Sequence, residues 1–265
     1  MQTLRGLIRK TGLRRQHVAS ARMYCERNAL AWWGRRRERK IGRILCYHSV
    51  GQPLFGVNDV SPAHFRRHIE LALGAGLRFV PASDLARDGG GPKDVAITFD
   101  DGLRSVMRNA APILADYNIP WSLFVVSDWS DGKGPWGDDV FLGWRDLERL
   151  IAAGVEVGSH SATHPDFTHL DLPRIVEELG SSRRVIEDRL GIKVETFAIP
   201  FGQSMNWPAR AAQAARQVGY EVVYAQAEET RPIGTIPRTF VTRFDGDLIF
   251  NALMTGVFDR WEEWY

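Results

Sequence analysis

From Arg43 onward, short apolar runs alternate with amphipathic stretches. The runs are RILCYH (43–48), LRFV (77–80), DVAITF (94–99), WSLFVV (121–126), VEVG (155–158), ETFAI (195–199), EVVY (221–224) and RTFV (238–241). Four to six residues rich in Val, Ile and Phe, with little polar alternation, predict strands buried on both faces. Between them, apolar positions at helical spacing predict helices over 62–75, 103–117, 144–153, 172–190 and 207–218. Asp171 and Pro173 open one of these helices and Gly191 closes it, while Gly154 and Gly219 sit between a helix and the next strand. Strand and helix alternate about seven times, which predicts an α/β fold with a parallel sheet closed into a distorted (β/α) barrel of seven or eight strands. Residues 88–92 and 127–139 read as loops, and neither marks a domain boundary.

Residues 1–40 have a different texture. Leu4, Leu7, Ile8, Met23, Leu30, Trp32 and Trp33 lie thinly among arginines, which predicts one or two helices. The expected organisation is a basic helical extension over 1–40 and one catalytic domain over 41–265. The extension carries twelve Lys/Arg against two acids, a net +10, whereas the remaining 22 basic and 30 acidic residues leave the body at −8. Such a basic arm expects either an anionic partner, of which a membrane surface is one, or internal pairing with the acidic body. No base-stacking or groove-reading motif accompanies it, so nucleic acid is not an expected partner. Two cysteines, no apolar stretch near the roughly 20 residues that span a bilayer, and no apolar core for a cleavable leader give the expectation of a cytoplasmic protein. Peripheral attachment to the inner face of the cytoplasmic membrane is part of that expectation.

Active sites of α/β barrels lie at the carboxyl ends of the strands. The 94–99 run leads there into Asp100, Asp101 and Gly102, and the 155–158 run into Ser159, His160 and, four residues later, His164. Adjacent carboxylates resist joint ionisation unless a cation intervenes. One Asp with two His is the donor set of a catalytic divalent site that keeps positions open for water and substrate. A third strand end continues into Pro200-Phe201-Gly202 at the same rim.

ITFDDG (97–102) and HSATH (160–164) resemble the first two signature motifs of the polysaccharide deacetylases, carbohydrate esterases with the NodB-type barrel, and FAIPFG (197–202) resembles the third. ILCYHSVG (44–51) is similar to a subgroup acting on poly-N-acetylglucosamine-like exopolysaccharides. The resemblance covers about 43–245. It implies hydrolysis of the N-acetyl group of an amino sugar in a bacterial polysaccharide or its lipid-linked precursor. It also implies Asp100 as general base, Asp101, His160 and His164 as metal ligands, His48 as general acid, and Pro200, Phe201 and Gly202 as a wall of the sugar groove. Zinc is the expected ion, with nickel, cobalt or iron acceptable to the same ligands.

Two departures from the family pattern matter. Ala198 stands where an arginine usually pairs with the base, and no histidine follows His169 to supply the late acid, which leaves His48. Arg238 or Arg243 could stand in for the arginine, although a surface ion pair is the expectation for each. His64, His68 and His169 are expected outside the ligand set, and Trp129, Trp136 and Trp144 are open to core packing or sugar stacking. Rival readings are a deformylase or deacetylase of a small polyprenyl-linked sugar, and an inactive glycan-binding relative.

Overall fold

The computed structural model of the chain describes residues 15–137, 139–226 and 229–261. Leu4, Leu7 and Ile8 of the basic extension and the last four residues of the WEEWY ending lie outside these. Among the described residues, ten strands run β1 (Arg43–Tyr47), β2 (Ser49–Val50), β3 (Asp59–Val60), β4 (Arg78–Phe79), β5 (Asp94–Phe99), β6 (Trp121–Val125), β7 (Glu156–Ser159), β8 (Thr196–Ala198), β9 (Val222–Tyr224) and β10 (Thr239–Phe240). Eight of them form one parallel sheet in the order β10-β1-β5-β6-β7-β8-β9, with β4 paired to the amino half of β5. The segment just before β10 pairs back to β9: Ala225 N–H donates to the Ile236 carbonyl (2.9 Å) and Ile236 N–H to the Val223 carbonyl (2.8 Å). The curled sheet therefore nearly closes on itself. This is the distorted parallel barrel that the alternation of runs predicts, with a strand at each of the eight runs. The short β2–β3 pair lies apart from it.

Alternation along the strands sorts the residues into two packed layers. Leu45, Ile97, Phe99, Leu123 and Val125 pack outward under the helices, while Ile44, Ala96, Phe124, Ala198 and Tyr224 pack together inside the barrel. The same alternation turns Cys46, His48, Thr98, Asp100 and His160 to the inner side. Gly158 has no side chain because Phe124 from the neighbouring strand occupies that space: a Cβ there would lie 2.6 Å from the Phe124 ring.

Helices α1 (Arg15–Trp33), α2 (Pro62–Gly74), α3 (Ala82–Asp88), α4 (Ala111–Asp116), α5 (Trp144–Ala152), α6 (Leu172–Leu190), α7 (Ala209–Val218) and α8 (Asp247–Met254) cover the sheet. The ends of α6 follow its sequence: the Asp171 carboxylate accepts the Arg174 N–H (3.0 Å), and Gly191 is left-handed at φ 64°. The expected helix over 103–117 is interrupted. A wide turn over Val106–Ala110 precedes α4, because Pro112 lacks the N–H that a regular helix bonds to the carbonyl four residues earlier. α3 and α8 are too short for periodicity to reveal.

α1 packs against α8, and against the segments on either side of it through a charge that composition alone would leave in solvent. Arg27 is fully buried: its Nε donates to Asp245 Oδ1 (2.7 Å), its Nη2 to Oδ2, and its guanidinium lies 4.7 Å from the Phe258 ring centre and 4.9 Å from that of Trp261. Asp245 also receives the Thr242 N–H (2.9 Å) and hydroxyl (2.8 Å). Breaking one side of a buried pair leaves an uncompensated charge. Arg27→Met is expected to cost about 3–5 kcal/mol of folding stability, measured by equilibrium urea unfolding.

Candidate active site

At the carboxyl ends of the strands, two adjacent carboxylates meet opposite surroundings. Asp100 lies inside the barrel, where Arg238, itself fully buried, grips it with two bonds: Nη1 to Oδ1 and Nη2 to Oδ2, both 2.7 Å. The guanidinium also donates from Nε to the Ala225 carbonyl (3.1 Å) and rests on the rings of Phe124 and Tyr224. The Cys46 thiol lies 3.4 Å from Asp100 Oδ2. Burial pushes the Asp100 carboxyl up, but Arg238 and His160 overcome that and hold it well below the usual carboxylate range. Asp100 is therefore ionised. The expectation of a surface ion pair for Arg238 is corrected: the segment that closes the barrel carries its side chain inward, where only a full opposite charge can balance it. Arg243 is exposed.

Asp101 has no such partner. Its Oδ1 is buried without a hydrogen bond and lies 3.6 Å from Nε2 of both His160 and His164. Burial first, and the charge on Asp100 second, raise its carboxyl to about 8. The histidines are set by their neighbours. His160 Nδ1 lies 2.8 Å from the Ala198 carbonyl, which can only accept, so Nδ1 carries the proton and Nε2 faces Asp101 as a free lone pair. Burial holds both rings neutral, His164 down to about 3.

The turn that brings the two rings together is built by a residue that local spacing does not reveal. Glu178, buried on α6, accepts the N–H groups of Ala162 (3.0 Å) and Thr163 (2.9 Å) and the Thr163 hydroxyl (2.7 Å). Ser161 and His164 take left-handed φ values of 70° and 63°, as do Asp101 (70°) and Phe201 (64°). The donor atoms of Asp101, His160 and His164 lie within 4.8 Å of one another, and the orphaned Asp101 oxygen faces the unprotonated Nε2 of His160 and the Nε2 of the neutral His164 ring. These residues fit a divalent ion. Cys46, His48 and Asp100 are equally close, but both Asp100 oxygens are taken by Arg238, whose charge would repel a second cation.

His48 reaches the cleft from the end of β1. Its Nδ1 is buried without a partner, and burial lowers the ring to about 4, so it rests neutral. The cleft is about 700 Å³, lined by Phe55, Trp129, Trp136, Phe201 and Met205 among apolar groups and by Asn58, Gln203, Asn206 and Gln226 among amides. Phe201 joins this lining; Pro200 and Gly202 do not. Trp129 stacks on His164 with ring centres 5.3 Å apart, whereas Trp144 bonds to Asp131 away from the cleft. His68 is buried between Tyr47 and Phe250, His64 lies exposed on α2, and His169 is exposed beside Asp166.

Fold and donor set together define a parallel α/β barrel with an Asp/His/His cluster at the strand ends that could hold a metal ion. The chain belongs to the polysaccharide deacetylase family, whose family model matches residues 87–223. The putative polysaccharide deacetylase YxkH of Bacillus subtilis is 23% identical over 204 residues, 74% of this chain and 68% of that protein. A de-N-acetylase from Aggregatibacter actinomycetemcomitans has the same fold at TM-score 0.69 and 21% identity, covering 80% of this chain and 99% of the other. IcaB from Ammonifex degensii does so at TM-score 0.67 and 22% identity, covering 84% and 99%. Three other curated relatives match over only 17%, 27% and 20% of their own lengths.

Because Asp101 sheds its proton only near pH 8, binding of a divalent ion should release a proton below that pH. Apparent affinity should rise as pH increases towards about 8 and then level. Asp101→Asn should abolish both the binding and its pH dependence, checked by calorimetric titration with Zn2+ in buffers of different ionisation enthalpy.

Proposed function

We propose that this protein is a divalent-metal-dependent N-deacetylase of an N-acetylated amino sugar in a glycan. The observation that carries this reading is the split carboxylate pair: Asp100 clamped and ionised by Arg238, Asp101 facing two imidazole nitrogens. The names of relatives such as chitin deacetylase and peptidoglycan-N-acetylglucosamine deacetylase support the substrate class.

Asp101, His160 and His164 would hold the ion, most simply zinc. Bound there, it supplies a Lewis acid for the acyl carbonyl and its developing negative charge. Asp100 keeps lone pairs beyond those engaged by Arg238, so it can take a proton from the attacking water. As the new C–O bond forms and the C–N bond breaks, the leaving nitrogen needs a proton. His48 rests neutral and must first be loaded, and the proton collected by Asp100 is the nearest source, since the donor atoms of the two residues lie within 4.8 Å. The products are free amine and carboxylic acid. Aromatic faces and side-chain amides in the cleft suit a sugar ring and its acetamido group. Two aspartates, Asp101 and Asp166, and no lysine or arginine line the cleft among the described residues, which favours an uncharged glycan over a pyrophosphate-linked sugar.

Amine release from N-acetylglucosamine oligomers, with and without a chelator, tests the reading; chelator-insensitive release or no release on any oligomer overturns it. Asp100→Asn and His48→Ala should each lower turnover by roughly 10²–10⁴-fold, with the metal retained. Arg238→Met removes the strongest influence holding the Asp100 carboxyl down and leaves its burial opposed only by the nearby imidazoles of His160 and His48. The acid limb of the pH–rate profile should accordingly move to higher pH in that variant, while in the parent Asp100 is ionised throughout the working range.

A further inference from the structure

We propose that the outward face of α1 is a docking surface for an anionic lipid membrane. The inner face of this helix buries Met23, Arg27 and Ala31 against the barrel. On the opposite side, positions 18, 21, 25, 29, 32 and 33 carry Val18, Ala21, Cys25, Ala29, Trp32 and Trp33, all exposed, with the exposed Arg22–Glu26 ion pair among them. Trp32 is 70% and Trp33 84% exposed. A face turned to water on a folded body is ordinarily polar, and two adjacent indoles so open to solvent are a poor fit to water alone.

Charge on the page selects the occupant. The acidic body neutralises only part of the arm: Arg27 pairs with Asp245, Arg37 with Glu229 and Arg39 with Asp259. Arg35, Arg36 and Lys40, immediately after the tryptophans, are exposed and make no ion pair among the described residues. The sequence adds Arg5, Arg9, Lys10, Arg14 and Arg15 ahead of Val18. Indoles that favour the headgroup zone, flanked by cations, match an anionic bilayer surface. A second copy of the chain would bring like charges together, and a nucleic acid would leave Val18 and the alanines unmatched. No helix among the described residues is long and apolar enough to cross a membrane, so the contact is interfacial.

The chain leaves Trp33 towards the amino end of β1, where Arg39 and Arg43 share Asp259. The tryptophans thus sit towards the amino ends of the strands and the cleft opens at their carboxyl ends. No residue of α1 lines the cleft, so docking through this face leaves the cleft uncovered. This inference does not depend on the proposed reaction.

The full chain should co-sediment with vesicles of phosphatidylcholine mixed with phosphatidylglycerol, much less with phosphatidylcholine alone, and less as salt is raised. Trp32→Ala/Trp33→Ala and Arg35→Glu/Arg36→Glu touch only exposed side chains and should preserve the circular dichroism spectrum and the unfolding midpoint. Each pair should weaken partitioning by roughly tenfold or more. Equal partitioning to neutral and anionic vesicles, or unchanged partitioning of both variants, overturns the proposal. So does a dimer in the parent, seen by light scattering, that the tryptophan variant converts to monomer, because a second copy then covers the face.

Discussion

The rest of the site depends on one buried ion pair, Arg238 with Asp100. Two full charges removed from water are tolerated only when they meet in good geometry and their remaining donors find acceptors. Here two 2.7 Å bonds join them, the guanidinium Nε reaches the Ala225 carbonyl, and the Phe124 and Tyr224 rings support its plane. Arg238 sits on the segment that ties β9 to β10, so barrel closure and ionisation of Asp100 are one structural event. With Asp100 fixed as the anion, Asp101 beside it cannot hold its own charge without outside help. The opposed chemistry of the neighbours follows from that contact together with the burial of Asp101, the larger cause of its raised carboxyl.

Geometry at the mouth is obtained against backbone preference. Five non-glycine residues among those described have left-handed φ values, and four of them, Asp101, Ser161, His164 and Phe201, belong to the strand-end turns of this site. Such conformations cost on the order of 1–3 kcal/mol each and persist only where surrounding contacts over-determine them. Glu178 and the Ser161 hydroxyl, which accepts the His164 N–H at 2.9 Å, are those contacts for the histidine turn.

How much could be read from the sequence follows the range of each interaction. Strands announce themselves through short apolar runs, and the Asp-Asp-Gly and His-x-x-x-His patterns are local, so barrel and donor set were legible together. Arg238 was not: its partner lies 138 residues away, and nothing near it in sequence marks an inward-facing arginine at a closure. Glu178 looks like any acid on an amphipathic helix, because what it recognises is backbone N–H groups, which every sequence contains. Arg27 misled in the same way, since a positive count over 1–40 cannot tell a solvated arginine from one buried against Asp245. The two-residue β2 and β3 and the seven-residue α3 offer too few turns or alternations for periodicity to register.

Phe124, seated in the space left by Gly158, has a wider consequence. With Tyr224 and the guanidinium above it, this ring plugs the barrel beneath Asp100, so the cleft is a blind alley. Asp100 is then sealed from below, and whatever meets it must come from the strand-end side, across a cleft whose aromatic lining includes Trp129, Trp136 and Phe201.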